Sequence, residues 1–190
     1  MGDFTKTFTG ILVGDVYLVG GQSNAERALN TCGNEYSNDE IKAWVDETFE
    51  KMDKKLRAMA RRSRDVVAYG VNENGLHRDL TNKISWWTNG FWGGLMWLMY
   101  EATKNEEYKI SAEQNEAFLD AAFDDVEKLH HDVGFMWHIL TGASYALTGD
   151  KESRIRNLYA ATTLMSRYVY CGEHGYIRAW NGSAHALSII

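Results

Sequence analysis

Two stretches of this chain are apolar around their whole helical circumference: GFWGGLMWLMYEAT (90–103) and VGFMWHILTGASYALT (133–148). A helix without a polar face must be enclosed by neighbours. Each is followed by an amphipathic stretch, NEEYKISAEQNEAFLDAAFDDVEKL (105–129) and KESRIRNLYAATTLMSRYV (151–169). Helical spacing puts Tyr108, Phe118, Ala122, Val126 and Leu129 on the inward face of the first. It puts Ile155, Leu158, Tyr159, Thr162, Met165 and Val169 on that of the second. Tyr100, Thr103, Asn105 and Glu107 return as Tyr145, Thr148, Asp150 and Glu152, an offset of 45 residues, about one helical hairpin. An enclosed helix, a short turn and an outer amphipathic helix, repeated, predict an all-α fold: a toroid of helical hairpins whose enclosed helices line a funnel. The stretches supply about half the helices of a closed toroid, so an incomplete one is expected. An open α-solenoid has the same pattern.

Upstream, SNDEIKAWVDETFEKMDKKLRAMARRS (37–63) places Ile41, Trp44, Val45, Phe49, Met52, Leu56 and Met59 on one helical face. Ser37 and Glu40 have the spacing of a capping box. Residues 63–85 are polar and punctuated by Gly70, Asn72, Asn74 and Gly75, and read as loop. GYIRAW (175–180) reads as extended. Residues 1–36 differ, with a short β-like run, ILVGDVYLV (11–19), among glycines. The expected organisation is a separate N-terminal segment, 1–36, and a helical domain, 37–190.

The formal charge of −6 argues against nucleic acid or an anionic membrane as partner. No apolar run reaches transmembrane length, and GILVGDVYLVGG, interrupted by Asp15 and preceded by Lys6 alone, makes a poor signal peptide. A soluble, cytoplasmic protein is the expectation. Cys32 and Cys171 stand far apart without a CxxC motif and read as free thiols.

The densest titratable cluster is HHDVGFM (130–136), where Asp132 opens an enclosed helix. An aspartate there can cap free N–H groups, or it can be one member of an acid–base pair. A metal site is not expected, because His130 and His131 are adjacent and diverge, with no i, i+4 partner. SWWTNGFWGG (85–94) offers Trp87 and Asn89 just before the other enclosed helix. Aromatic rings and an amide there suit either core packing or a sugar platform. YIRAWNG (176–182) adds Arg178 beside Trp180, and arginine favours carboxylates, which suggests an acidic sugar.

SWWTNGFWGGLMWLMYEAT, HHDVGFM and YIRAWNG, in this order and spacing, resemble the N-terminal half of glycoside hydrolase family 88, the unsaturated glucuronyl hydrolases. The resemblance spans about residues 37–190. It implies an (α/α)6 toroid and removal of a 4,5-unsaturated uronic acid from the non-reducing end of oligosaccharides left by polysaccharide lyases. The implied chemistry is hydration of a vinyl ether, so the carboxylate-spacing rule for ordinary glycosidases does not transfer. It implies Asp132 as a catalytic carboxyl, with Trp87, Asn89, His131, Arg178 and Trp180 against the substrate. No cofactor is implied. The family's second aspartate lies in an IID motif soon after RAW; here the chain reads YIRAWNGSAHALSII and stops at Ile190. The expectation is a fragment lacking that aspartate, active only as part of its parent. An inert half toroid, with or without carbohydrate binding, is the alternative.

GDVYLVGGQSNAERAL (14–29) resembles instead the opening block of sialate O-acetylesterase-type SGNH esterases, which implies Ser23 as nucleophile. The Asp-x-x-His pair of those enzymes is not evident, and a strand followed by a Gly-rich turn accounts for the same residues. The expected partner is an unsaturated uronic-acid oligosaccharide. Self-association through exposed enclosed-type helices is also expected.

Overall fold

The computed structural model describes residues 38–172 and 174–181. Ser23, the run 11–19, Cys32 and the Ser37 cap lie outside them. The chain divides into two units between Glu47 and Thr48, inside helix α1 (Asn38–Arg62). Residues 38–47 of the first unit are helical, with Ile41 and Trp44 exposed.

In the second unit α1 leads to strands β1 (Ala68–Val71) and β2 (His77–Asp79), then α2 (Phe91–Thr103) and α3 (Glu106–Leu119). A 3-10 run (Asp120–Lys128), a π-helical run (Gly134–Gly142), α4 (Ala143–Thr148) and α5 (Lys151–Met165) follow. Strands β3 (Tyr168–Cys171) and β4 (His174–Ile177) end the described chain. The fold is all-α in class, built of helical hairpins, with two small antiparallel strand pairs as accessories.

Trp97, Met96, Tyr108, Leu119, Met136, Trp137 and Leu140 form the centre of the core. Enclosed α2 packs on α3, on the π-helical run and on α4. From Thr48 onward α1 gives Phe49, Leu56, Met59 and Ala60 to this core. Met52, expected inside, is exposed, and Asp53 is buried in its place. The Tyr108 hydroxyl lies 2.7 Å from Asp53 Oδ1 and Arg57 pairs with the other oxygen, so the buried carboxylate keeps its partners.

Residues 63–85 are not a plain loop. Ala68 pairs with Asp79 and Tyr69 with Arg78. The turn is closed by Asn72, whose side chain accepts from the Asn74 and Leu76 N–H groups, with Gly75 at φ 71°. Polar composition hid the strands. The hairpin is fastened where His77 Nδ1 lies 2.6 Å from Ser63 Oγ and the imidazole stands edge-on to Trp92.

The 45-residue echo is a repeat of turn chemistry. Thr103 Oγ1 donates to the Met99 carbonyl and accepts the Asn105 N–H; Thr148 Oγ1 does the same for Ser144 and Asp150. Lys104 and Gly149 then take the left-handed conformation that ends each helix. Asn105 caps α3 through the Glu107 N–H, and Asp150 caps α5 through the Ser153 N–H.

Three expectations about helix faces fail. Val126 is exposed, because the stretch after Leu119 is a kinked 3-10 run with Asp125 out of helical geometry. Neither enclosed helix is buried all round: Phe91 and Leu98 of the first and Phe135 and Tyr145 of the second are exposed. On α5, Ile155, Leu158, Tyr159 and Met165 face outward, Met165 being 66% exposed. Polar tethers set the rotation of α5 instead. Arg156 binds Asp120 at 2.6 Å and buried Glu116 at 3.1 Å, while Ser153 Oγ lies 2.8 Å from Ser144 Oγ. Turning α5 over would leave the buried Glu116 carboxyl without its arginine, which is costly. Burial pushes the Glu116 carboxyl up, against the pull of Ser153 and Arg156.

Candidate active site

The enclosed helices begin beside each other because Gly90 has no side chain. A Cβ there would sit 2.1 Å from the Met136 carbonyl oxygen and 2.5 Å from that of Phe135. This contact carries the aromatic loop before α2 to the start of the π-helical run. Trp87, Phe91 and Phe135 form a cluster of rings with centroids 5.7–6.0 Å apart, all three on the surface. The Phe135 N–H donates to the Asp132 carbonyl at 2.8 Å, so the cluster adjoins the carboxylate's backbone.

Asn89 is not at that surface. It is 0% exposed, and its amide donates to the Lys83 and Ile84 carbonyls at 3.0 and 2.9 Å. Its N–H groups close the loop that carries Trp86 and Trp87, and only Oδ1 is left unbonded among the described residues. A sugar hydroxyl cannot reach an amide so enclosed; the sequence showed an amide beside aromatics but not its direction.

Asp132 and His131 are half-buried side by side, with Nε2 3.2 Å from Oδ1. No side-chain cap closes the N-terminus of the π-helical run, and the Asp132 carboxylate faces His131 instead. Trp180 stands edge-on to the His131 ring, centroids 5.1 Å apart. Residues 48 positions apart in the chain thus converge: the HHD turn and the RAW segment lie against each other, His131 Nδ1 being 2.9 Å from the Ala179 carbonyl. Arg178 is exposed at the edge of this contact.

The residue that holds the convergence together was not legible as a site residue. Arg167, just past the end of α5, is 5% exposed. It donates to the Arg178, Leu129 and Ala179 carbonyls and to Asn181 Oδ1. Asn181 in turn donates to the Glu127 carbonyl. A basic residue after a helix end reads as a dipole partner, and nothing local shows that it turns inward. Burial, then the Arg178 charge, lowers the Arg167 pKa, with Asp132 opposing. Burial, then the Arg167 charge, holds the His130 imidazole below its usual range, again against Asp132. The turn therefore feels a fixed positive charge beneath it.

No helix among the described residues is long and apolar enough to cross a membrane. No family model matches the chain. A curated unsaturated chondroitin disaccharide hydrolase of Streptococcus pneumoniae is 43% identical over 95 residues, covering 50% of this chain and 24% of the relative. An unsaturated glucuronyl hydrolase of a Bacillus species is 35% identical over 108 residues, covering 56% of this chain and 28% of the relative. The crystal structure of an unsaturated glucuronyl hydrolase from Streptococcus agalactiae superposes with a TM-score of 0.51 at 26% identity, over 70% of this chain and 36% of that one. The chain thus spans about a quarter of the length of these curated relatives. Sequence and fold agree that the chain is similar, over part of its length, to the unsaturated glucuronyl hydrolases, family 88 of the glycoside hydrolases.

Proposed function

We propose that this segment forms part of the active site of a hydrolase that removes a 4,5-unsaturated uronic acid from the non-reducing end of lyase-generated oligosaccharides. The convergence of His131, Asp132 and Trp180, in a chain related to enzymes of that name, carries the reading.

The substrate is a vinyl ether, with C4=C5 conjugated to the ring oxygen. An acid delivers a proton to C4, and positive charge develops at C5 and the ring oxygen. Water adds to C5 and loses its proton to a base. The resulting hemiketal opens, the aglycone leaves with a proton, and the uronic acid is released as a keto-aldehyde. One water is consumed, and the anomeric carbon undergoes no displacement. Asp132 is assigned to the acid–base work, alone or by biasing a second carboxyl supplied from outside the described residues. His131 orients Asp132. Trp180 and the Trp87 cluster offer ring faces to the sugar, Arg178 meets the uronate carboxylate, and Asn89 supports the loop that carries Trp87. The domain division at 36/37 is kept as a proposal. So is self-association, for which the exposed Leu98, Leu158 and Met165 supply apolar surface.

The experiment is a graft. Residues 48–181 replace the matching stretch of the Streptococcus pneumoniae relative, and loss of the ultraviolet absorbance of an unsaturated chondroitin disaccharide is followed. Turnover that disappears in Asp132→Asn is the expected result; a graft that turns over equally well with that change overturns the assignment.

A further inference from the structure

The Ala179 carbonyl oxygen receives three donors: the His131 backbone N–H at 3.2 Å, His131 Nδ1 at 2.9 Å and an Arg167 terminal nitrogen at 2.9 Å. A carbonyl oxygen only accepts, so the ring nitrogen against it carries the hydrogen. Nε2, the atom 3.2 Å from Asp132 Oδ1, is then left to share one hydrogen with the carboxyl, carried on the ring nitrogen or on the oxygen. Which nitrogen of a histidine is free is set by the bond the other one makes. Here that bond depends on the position of one backbone carbonyl.

Arg167 sets that position. Its guanidinium reaches the carbonyls of Arg178 (2.6 Å), Ala179 (2.9 Å) and Leu129 (3.3 Å) and Asn181 Oδ1 (2.7 Å). Leu129 precedes the HHD turn, and the other three belong to the strap that carries Trp180. A buried cation spent on neutral acceptors is expensive unless its geometry does something an apolar side chain cannot. The planar fork spans two segments that share no regular secondary structure, and holds the strap against the turn.

We propose that Arg167 is the positioning residue of the His131–Asp132 pair: it holds the Ala179 carbonyl where that oxygen fixes the imidazole in its Nδ1–H form and turns Nε2 onto Asp132. The inference rests on the assignment of acid–base work to Asp132. Its test uses no substrate, so a failed graft and a failed positioning role are told apart.

The test is made on the full 190-residue chain labelled with ¹⁵N-histidine. Long-range proton–nitrogen spectra are recorded near neutral pH, and His131→Asn assigns the His131 signals. In the unaltered chain, Nδ1 carries the hydrogen and the Nε2–H tautomer is absent. Arg167→Lys keeps the charge but cannot span the four acceptors, and Arg167→Met removes both. In each the His131 signals move to the averaged positions of a tautomer mixture, while far-ultraviolet circular dichroism is unchanged. An Nε2–H tautomer in the unaltered chain overturns the proposal, as does an unchanged His131 spectrum in a folded variant. Where one variant loses its helical signal, the other decides. Loss of helix in both makes Arg167 a residue of the fold, and the positioning role falls.

Discussion

The two helical hairpins close their turns with the same chemistry and enclose their helices differently. In both, a threonine hydroxyl bridges the last helical turn to the next cap, a left-handed residue ends the first helix, and Asn105 or Asp150 starts the second. Yet α3 buries Tyr108, Ala112 and Leu119, while α5 buries only Ser153 and Ala160 and leaves its apolar stripe in water. The enclosed helix of the first hairpin is α-helical; that of the second is π-helical from Gly134 to Gly142, two residues after Asp132. Widened helical turns concentrate at functional sites. Local sequence specifies a turn, and the packing environment specifies what the hairpin does.

The comparison breaks most severely at Asp132. If the second hairpin carries the chemistry at its mouth, Asp132→Asn in the grafted enzyme lowers kcat by about 10²–10⁴-fold. Its unfolding midpoint stays nearly the same, because the Asp132 side chain caps no helix and asparagine keeps its shape beside His131. A loss below about threefold, far under the range for general acid–base groups, returns Asp132 to a structural role.

The next effect separates the starts of the two enclosed helices. Gly90→Ala drives a methyl into the Met136 carbonyl and is expected to cost about 1–3 kcal/mol or more in urea unfolding. Gly134, the first residue of the π-helical run in the second hairpin, has open space where its Cβ would be. There alanine is expected to stabilise, by about 0.4–1 kcal/mol. Equal effects at the two glycines would mean the enclosed helices do not meet at Gly90.

The caps sharpen the likeness. Asn105→Ala and Asp150→Ala are each expected to cost about 0.5–2 kcal/mol. They differ in their response to acid. The Ser153 backbone N–H, then its hydroxyl, holds the Asp150 carboxyl below the usual carboxylate range. A lowered folded-state pKa means stabilisation that is complete above the unfolded pKa and lost as pH falls through the folded one. Acidification across that window weakens the second cap and spares the uncharged Asn105. Thermal unfolding of Asp150→Asn should therefore fall less steeply with acid than that of the unaltered chain; parallel curves would remove Asp150 from the acid response.

Much of this was legible in the sequence. The hairpin repeat, its turns, the enclosed helices and the family resemblance rest on short-range spacing, which dihedral preferences and hydrogen-bond reach translate directly into local structure. The HHD and RAW motifs point to His131, Asp132 and Trp180, and the structure brings His131 against both of the others. Asn89 was visible as a residue but not as a buried clamp, because an amide's direction is set by the loop around it. Arg167 and the Ala179 carbonyl left no signal, since one is a lone cation after a helix and the other is main chain.

The sequence by itself determined that two helical hairpins form, which turns join their helices and which residue types crowd the HHD and RAW segments. Those are matters of residues within a few positions of one another, where 3.6-residue periodicity and capping chemistry hold whatever the surroundings. Only the tertiary structure decided which face of α5 is buried, how closely Gly90 lets two backbones approach, and that one guanidinium ties residue 129 to residues 178–181. Each of these depends on desolvating polar groups against partners far away in the chain. That cost is repaid only when the partner is in place, so no local pattern records it.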